Sequence, residues 1–452
     1  MGTREIPQKT YNAQVNYKVV GGKVLSGTVD TNISKNAAVA LLAASLLNRG
    51  TTILKRMPRI EEVKRLIEVM ESIGVKVLWE ESGDMRITPP AKIDLSHINQ
   101  ESAQRTRSIA LFIAPLAHLL GSFDLPAPTG CDLGKRTLGS HVDALAKLGI
   151  AITGNEETHT YHVEMQHPTD GGPVTEIIMY EASDTGVENV LMAAAKIPAT
   201  TVIKFASANY MVQDLCVFLK QCGVTIDGIG TSTLTVHGVA DIAQEVHGYP
   251  SEDPIESMFF ISLAATTHSE IKITRCPVDF LELELFTLGM MGLKYAWGDS
   301  YVSENGHTTL RDVTIFPSDL HAAPEKISPR PYPGINIDNL PFFVPVATQA
   351  TGATLIHDWV YDGRAHWYTE MNKLGANVEL LDQHRVLVTG PSTLHGAEIK
   401  APPALRPATL LLIGMLAAEG ESTLFDVYPI NRGYANLHER LQKLGASIEA
   451  VE

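Results

Sequence analysis

The sequence predicts an α/β protein made of six copies of one unit, and three observations lead to this prediction. An Ala- and Leu-rich run occurs six times, each time followed by a short segment rich in β-branched residues. An amphipathic run then ends at a glycine, and a second β-branched segment follows it. The glycines that end consecutive units are 69 to 83 residues apart. Self-similarity at such a period indicates a repeat architecture.

The first helix of each unit is predicted from a run that is apolar nearly all round, which is typical of a buried helix. In chain order these runs are KNAAVALLAASLL, RSIALFIAPLAHLL, ENVLMAAAKI, ESMFFISLAATT, FFVPVATQAT and ATLLLIGMLAA. The segments after them, such as TTIL and TTVIKF, are rich in β-branched residues and predict strands.

The second helix of each unit is predicted to be one-sided. In the first unit, Val63, Leu66, Ile67 and Met70 recur three to four residues apart with charged residues between them. The glycine after each such run suits the left-handed C-terminal cap of a helix. The six glycines are Gly74, Gly149, Gly223, Gly292, Gly375 and Gly445.

A unit of this size cannot bury its apolar helix alone, so the units must pack together. We expect two groups of three, with the boundary near the His- and Gly-rich stretch at His237–Gly248. A second loose stretch, Ala322–Pro333, leads into the fifth unit.

Composition excludes several classes of protein. The chain has 36 Lys and Arg against 51 Asp and Glu, so its net charge is −15, which argues against a nucleic-acid binder or a DNA clamp. No apolar run reaches the length of about 18 residues that suggests a membrane span, so no membrane insertion is expected. Four scattered cysteines favour a reducing cytoplasm. No GxGxxG, P-loop or HExxH motif occurs, so neither a cofactor nor a metal is predicted.

Two segments that break the repeat suggest chemistry. Lys35 and Asn36 come at the start of the first apolar helix, where free N–H groups favour an anion, although a plain helix cap with a solvated lysine also fits. Between strand and helix of the second unit, the segment TGCDLGKR places Cys131 beside Lys135 and Arg136. Such cations would lower the pKa of the thiol and could hold a phosphate, while an inert loop thiol is the alternative. Cys216 and Cys222 are instead expected to be packing residues.

A carboxylate and several arginines complete the candidate site. The segment PYPGINID delivers Asp338 to the start of an apolar helix, as a general base or as the helix cap. Single arginines recur in short loops of different units, where each could be a surface ion-pair residue or could bind a carboxylate or phosphate. These are Arg107, Arg364, Arg406 and Arg432. Together they suggest a small anionic substrate held between the two groups of units.

This order of residues resembles the UDP-N-acetylglucosamine enolpyruvyl transferases, from about Gly21 to Glu449. The most specific parts are the Gly-Cys-x-x-Gly-x-Arg loop, Pro-Tyr-Pro-Gly followed by Asp, and Arg-Gly-Tyr near the end. The resemblance implies a two-domain inverse α/β fold with three βαβαββ-type units per domain. One domain would span residues 35–244, the other residues 1–34 together with 245–452, and the active site would lie in the cleft between them.

The implied reaction moves the enolpyruvyl group of phosphoenolpyruvate to the 3-hydroxyl of UDP-N-acetylglucosamine and releases phosphate, as the first committed step of peptidoglycan synthesis. By resemblance, Cys131 protonates phosphoenolpyruvate or adds to it, and would make the protein sensitive to fosfomycin. Asp338 would take the proton of the sugar hydroxyl. The binding residues implied are Lys35, Arg136 and Arg432 for phosphoenolpyruvate, Arg364 and Arg406 nearby, and Asn36, Arg107 and Ser183 for the sugar nucleotide.

The sequence departs from the family pattern mainly on the sugar-nucleotide side. Ile33-Ser34 replaces Gly-Ala, Thr137–Ser140 replaces Pro-Val-Asp-Leu, Ile335–Ile337 replaces Phe-Pro-Thr, and Ala404 replaces an acid. An enolpyruvyl transferase for another nucleotide or nucleoside therefore stays an alternative, as does a non-catalytic homologue. The related shikimate-pathway enzyme fits less well, because it lacks the loop cysteine. The oligomeric state is left open.

Overall fold

The computed structural model describes residues 15–128, 138–166 and 174–452, and its strands form six sheets. The strands are β1 (Asn16–Val20), β2 (Ser26–Asp30), β3 (Thr52–Leu54), β4 (Lys76–Trp79), β5 (Met85–Thr88), β6 (Ser122–Pro126), β7 (Ile150–Asn155), β8 (Thr160–Met165), β9 (Val174–Ile178), β10 (Thr200–Lys204), β11 (Thr225–Asp227), β12 (Thr233–His237), β13 (Val246–Gly248), β14 (Glu270–Pro277), β15 (Lys294–Val302), β16 (Thr309–Phe316), β17 (Gly352–His357), β18 (Asn377–Leu380), β19 (Arg385–Gly390), β20 (Glu398–Lys400), β21 (Glu421–Phe425) and β22 (Ser447–Val451). The α-helices are α1 (Lys35–Ser45), α2 (Glu61–Ser72), α3 (Gln100–Arg105), α4 (Ile113–Leu120), α5 (Gly139–Ala146), α6 (Asp184–Ala195), α7 (Tyr210–Gln221), α8 (Pro254–Thr266), α9 (Glu282–Met290), α10 (Phe343–Thr348), α11 (Leu405–Ala417), α12 (Tyr428–Asn431) and α13 (Leu437–Lys443). Short 3₁₀ helices occur at Arg107–Phe112, Val278–Phe280, Leu340–Phe342 and Arg364–Leu374.

Each of the six sheets corresponds to one predicted unit. In unit order, the strand orders are β13-β3-β5-β4, β6-β8-β7, β11-β12-β10-β9, β15-β16-β14-β2, β17-β19-β18 and β20-β21-β1-β22. The two N-terminal strands join sheets formed late in the chain, because β1 lies antiparallel between β21 and β22, and β2 runs parallel to β14. The six-unit α/β architecture predicted from the sequence is therefore confirmed.

The Ala- and Leu-rich runs form buried helices, as their composition predicts. All thirteen residues of α8 are buried, and in α1 every residue from Ala37 to Ser45 is buried. Helix α1 packs against α2 and α7, and α8 packs against α10 and α11. Since these helices have no polar face, they can be stable only between other elements.

The glycine caps predicted from the sequence are confirmed. All six glycines have positive φ values, from 82° to 96°, a backbone conformation that costs a residue with a Cβ atom about 1–2 kcal/mol. The helix before the glycine is α2, α5, α7, α9 or α13 in five units. In the fifth unit the expected amphipathic helix is instead the 3₁₀ segment Arg364–Leu374, whose first side chain turns inward to an ion pair.

Helix α2 differs from the expectation in one respect. Its apolar stripe is buried as predicted, but Glu61 and Glu62 are buried too, with 8% and 2% of their surface exposed. Both carboxylates are paired with arginines: Glu61 with Arg65 on the same helix and Glu62 with Arg432. Buried carboxylates require such partners, because burial of an unpaired charge is strongly unfavourable.

The buried apolar side chains form two cores. One includes residues between 37 and 246, and the other includes residues 17–29 and 255–448. None of the helices in the described ranges combines the length and the hydropathy that crossing a bilayer requires.

Candidate active site

Lys35 and Asn36 occupy the first turn of α1, as the sequence predicts. Ser34 is the N-cap, and its Oγ accepts a hydrogen bond of 3.3 Å from the Ala37 N–H. Lys35 is partly exposed, and desolvation lowers its pKa. Among neighbouring charges, Glu62 raises this pKa while Arg432 and Arg406 lower it. Lys35 therefore belongs to a group of charged side chains from both halves of the chain.

Glu62 is a site residue that sequence reasoning missed. Its Oε1 accepts hydrogen bonds from Thr106 Oγ1 at 2.5 Å and Ser108 Oγ at 2.9 Å. Its Oε2 accepts two bonds from the Arg432 guanidinium, at 2.8 and 3.1 Å. Burial alone would raise the pKa of Glu62, but the charges of Lys35 and Arg432 and these hydrogen bonds lower it to about 2. Glu62 is therefore an anion that binds Arg432 directly and attracts Lys35.

Arg432 comes from the far end of the chain, directly after α12. Besides the ion pair, its carbonyl oxygen accepts a hydrogen bond of 3.4 Å from the Glu62 N–H. The start of α2 belongs to the first core and α12 to the second. The Glu62–Arg432 contact thus joins the two halves of the molecule at the site.

Asp338 lies among arginines rather than at a helix cap. The N-cap of the following 3₁₀ helix is Asn339. Asp338 Oδ2 accepts a hydrogen bond of 3.4 Å from Arg406 Nη2, and its Oδ1 lies 3.8 Å from Arg364 Nη1. The side chain of Asp338 stays 22% exposed. A carboxylate that is held by cations and still reachable from outside is suited to accept a proton from a bound substrate.

Arg364 and Arg406 are buried and differ in their partners. Arg364 binds both carboxylate oxygens of Asp358, at 2.5 and 3.0 Å, and donates to the Ile337 carbonyl at 2.8 Å. Arg364 thereby supports the loop that carries Asp338. Arg406, at the start of α11, donates to Tyr434 Oη at 3.2 Å, and its Nε is buried without a hydrogen-bond partner in the described part of the chain.

The start of α6, which belongs to the first core, lies near Asp338. Ser183 is the N-cap, and its Oγ accepts a hydrogen bond of 3.3 Å from the Gly186 N–H. The neighbouring Asp184 is held by Ser207 Oγ at 2.5 Å and Asn209 Nδ2 at 3.2 Å. Burial raises the pKa of Asp184, and the charge of Asp338 raises it further. Ser183 is therefore adjacent in sequence to Asp184, whose carboxylate is subject to the charge of Asp338.

Arg107 lies at the start of a 3₁₀ helix, close to a buried histidine. Burial, together with the charge of Arg107, lowers the pKa of His141 to about 4, so this imidazole is neutral at pH 7. Its two ring nitrogens lie 3.2 Å from Asn189 Nδ2 and 3.4 Å from Thr185 Oγ1. The charge of Arg107 thus acts on His141, which contacts α6.

Cys131, Lys135 and Arg136 lie outside the described residues. Cys216 and Cys222 are buried, and burial raises the pKa of each thiol to about 12, which confirms that they are packing residues.

The chain is similar to known carboxyvinyltransferases along nearly its whole length. The family model of EPSP synthase (3-phosphoshikimate 1-carboxyvinyltransferase) matches residues 19–441. A UDP-N-acetylglucosamine 1-carboxyvinyltransferase of Treponema denticola is 33% identical over 96% of the chain and 99% of that protein. The chain belongs to the UDP-N-acetylglucosamine 1-carboxyvinyltransferase family. Another such carboxyvinyltransferase, of Bradyrhizobium diazoefficiens, is 31% identical over 97% of the chain and 99% of that protein.

Solved structures of other carboxyvinyl-transferring proteins share the fold. The enolpyruvyl transferase NikO from Streptomyces tendae superimposes with a TM-score of 0.82 at 22% identity, over 97% of the chain and 99% of NikO. An EPSP synthase from Acinetobacter baumannii gives 0.72 at 17% identity, over 97% and 100%. The two-domain α/β fold expected for a carboxyvinyltransferase is therefore confirmed.

Proposed function

We propose that this carboxyvinyltransferase moves the enolpyruvyl group of phosphoenolpyruvate to the 3-hydroxyl of UDP-N-acetylglucosamine and releases phosphate. The observation that carries the proposal is the meeting of Lys35, Arg432 and Arg406 with Asp338 at the junction of the two cores. Three cations converge there on two carboxylates, Asp338 and Glu62. Such a site suits a small substrate that bears both a phosphate and a carboxylate.

The reaction requires one base and one acid. Asp338 takes the proton of the sugar hydroxyl as its oxygen attacks C2 of phosphoenolpyruvate, and a proton is added to the C3 methylene. Removal of a proton from the C3 methyl group, with expulsion of phosphate from C2, then forms the C2=C3 double bond of the enol ether product. Cations fixed before the reaction stabilise the charge of the intermediate, because they need not reorganise as it forms.

Further residues are assigned to the site from their positions in the sequence. Cys131 protonates C3 of phosphoenolpyruvate or adds to the substrate covalently. Arg136, five residues later in the sequence, binds phosphate. Asn36, at the start of α1 next to Lys35, contacts the sugar nucleotide, together with Arg107 and Ser183 near the N-terminus of α6. Arg364 is paired with Asp358 and supports the loop that carries Asp338.

The two cores support a division into two domains. We infer one domain at residues 35–244 and a second that combines residues 1–34 with 245–452, with the active site in the cleft between them. The contacts of β1 and β2 with strands of the late units favour this division. The few buried cysteines favour a cytoplasmic protein, and the proposed reaction would serve peptidoglycan synthesis.

A direct assay tests the proposal. Purified protein is mixed with phosphoenolpyruvate and UDP-N-acetylglucosamine, and phosphate release is followed. We expect release that depends on both substrates, is abolished in Cys131→Ser, persists in the matched variant Cys222→Ser, and is blocked by fosfomycin. Release with another nucleotide or nucleoside but not with this sugar nucleotide would favour the alternative acceptor that the 137–140 segment suggests. Absence of release with every acceptor would contradict the proposal.

A further inference from the structure

A hydrogen bond between Ser34 and Tyr210 fixes the residue that precedes Lys35. Ser34 Oγ donates to Tyr210 Oη at 3.0 Å while it accepts from the Ala37 N–H. The Ser34 N–H also donates to the Ser251 carbonyl at 2.8 Å. Both side chains are buried, with exposed fractions of 0% for Ser34 and 1% for Tyr210. The backbone that carries Lys35 is therefore held at three points.

The ring of Tyr210 begins a chain of aromatic contacts that leads into the second half of the molecule. It lies edge-on to Phe280, with ring centroids 5.6 Å apart. Phe280 in turn lies 4.9 Å from the ring of Tyr332. Tyr332 belongs to the same loop as Asp338, six residues upstream of it. One continuous path thus connects the helix of Lys35 with the loop of Asp338.

The Tyr210 hydroxyl also lies within the electrostatic field of the site. The charges of Asp253, Asp338 and Arg406 all act on it. A buried hydroxyl is unfavourable unless it is hydrogen-bonded, and the Tyr210 oxygen accepts its bond from Ser34 Oγ. A phenylalanine would fill the same volume as Tyr210 without placing a polar group in the core. What the Tyr210 hydroxyl adds is the hydrogen bond with Ser34.

We propose that Tyr210 is a positioning residue that sets Lys35 at the correct distance from Asp338 for the phosphate of phosphoenolpyruvate. This inference rests on the proposed function. Lys35 and Asp338 are carried by separate cores, so a contact path across the junction is needed to keep them in register. A displacement of about 1 Å at such a site is enough to lower the rate by up to about 100-fold.

The test compares Tyr210→Phe, Ser34→Ala and the double variant. Tyr210→Phe keeps the aromatic path and removes the hydroxyl alone. We expect each single variant to lower kcat by about tenfold and to weaken phosphoenolpyruvate binding, measured by calorimetry, with KM for the sugar nucleotide unchanged. The double variant should be no worse than the poorer single variant, because both changes remove the same hydrogen bond.

Two matched variants separate positioning from stability. Tyr301→Phe removes a hydroxyl that binds Asp312 on the β15–β16 hairpin, and Ser45→Ala removes a buried hydroxyl that binds the Leu42 carbonyl within α1. Both should keep wild-type kcat and phosphoenolpyruvate affinity. A purely structural role for Tyr210 would lower the midpoint of thermal unfolding while leaving kcat unchanged.

The inference is overturned if Tyr210→Phe retains wild-type kcat and phosphoenolpyruvate affinity, or if the effects of the two single variants multiply in the double variant. These outcomes leave the proposed function intact, because the wild-type protein still turns over. If the wild type neither binds phosphoenolpyruvate nor releases phosphate, the proposed function fails and this inference fails with it.

Discussion

Replacing Glu62 by glutamine removes a buried anion at the start of α2 that binds Arg432 and attracts Lys35. The substitution Glu62→Gln keeps the size of the side chain and its contacts with Thr106 and Ser108, but it removes the charge. Because Glu62 is 2% exposed and accepts two bonds from Arg432, solvent cannot replace it. The variant therefore measures what the buried carboxylate contributes.

The magnitude follows from the pKa of Glu62. A decrease of the pKa from 4.5 to about 2 stabilises the folded state with ionised Glu62 by about 3 kcal/mol, since each pKa unit corresponds to about 1.4 kcal/mol. Because the folded-state pKa is lowered, this stability is fully present above about pH 4.5 and is lost as the pH falls through about 2. About 1.4 kcal/mol of it should remain at pH 3.

Thermal unfolding of wild type and Glu62→Gln at several pH values provides the assay. At pH 7 we expect the midpoint of the variant to lie roughly 3–8 °C lower, and the difference to shrink to less than half at pH 3. Glu71→Gln on the exposed face of the same helix serves as the control and should shift the midpoint little. In the active enzyme, loss of Glu62 should lower the pKa of Lys35 further and move the alkaline limb of the rate profile to lower pH.

Two results would refute this reasoning. One is an unfolding midpoint of Glu62→Gln equal to that of the wild type at pH 7, which would mean that the ion pair with Arg432 contributes nothing net. The other is a difference that stays constant between pH 7 and pH 3, because a packing defect, unlike a charge, does not titrate.

Three further predictions concern the helix cap at Gly74, the buried Arg364 and the contact between His307 and Asp214. Gly74→Ala should destabilise by about 1–2 kcal/mol, since φ is +96° there, whereas Gly154→Ala, with open space around its Cβ, should be neutral in the same thermal unfolding assay. Arg364→Lys should cost about 1–3 kcal/mol and lower kcat, because a lysine keeps the charge but cannot replace the two-bond contact of a buried guanidinium. Burial alone would lower the pKa of His307, but the hydrogen bond and charge of Asp214 raise it, so His307→Gln should destabilise more at pH 6 than at pH 9.

Each of these predictions has its own control or contradicting result. Equal losses for Gly74→Ala and Gly154→Ala would show that the positive φ is not the cause. Arg385→Lys changes an exposed pair with Asp382 and should be nearly silent, so a comparable loss there would contradict the burial argument for Arg364. A His307→Gln effect that grows from pH 6 to pH 9 would contradict the assigned sign.

The repeat, the glycine caps and the start of α1 could be predicted from the sequence because each depends on local pattern. Glu62 could not, since a carboxylate in the first turn of a helix already has a local explanation in the helix dipole. Its partner Arg432 lies 370 residues away, and no spacing in one sequence points to such a contact. The burial of Arg364 had a detectable signal, because Asp358 precedes it by only six residues.

The repeat also explains backbone conformations that would otherwise suggest strain at a functional site. In three units the chain enters the left-handed region just after a strand, at Arg56, Phe205 and Asp426, and in the fourth unit it does so at a bulge within β14, at Arg275, with φ from 49° to 60°. Because the conformation recurs at one position of the unit, it belongs to the fold. What differs is the side chain: in the first and fourth units both arginines reach the same buried carboxylate, Glu252, with Arg56 Nη1 3.9 Å from its Oε1 and Arg275 in direct contact. Glu252 lies in the segment that joins the third unit to the fourth, so equivalent positions of two units meet at one anion between the cores. The four positions thus share a backbone conformation, and two of them use it to direct an arginine to Glu252.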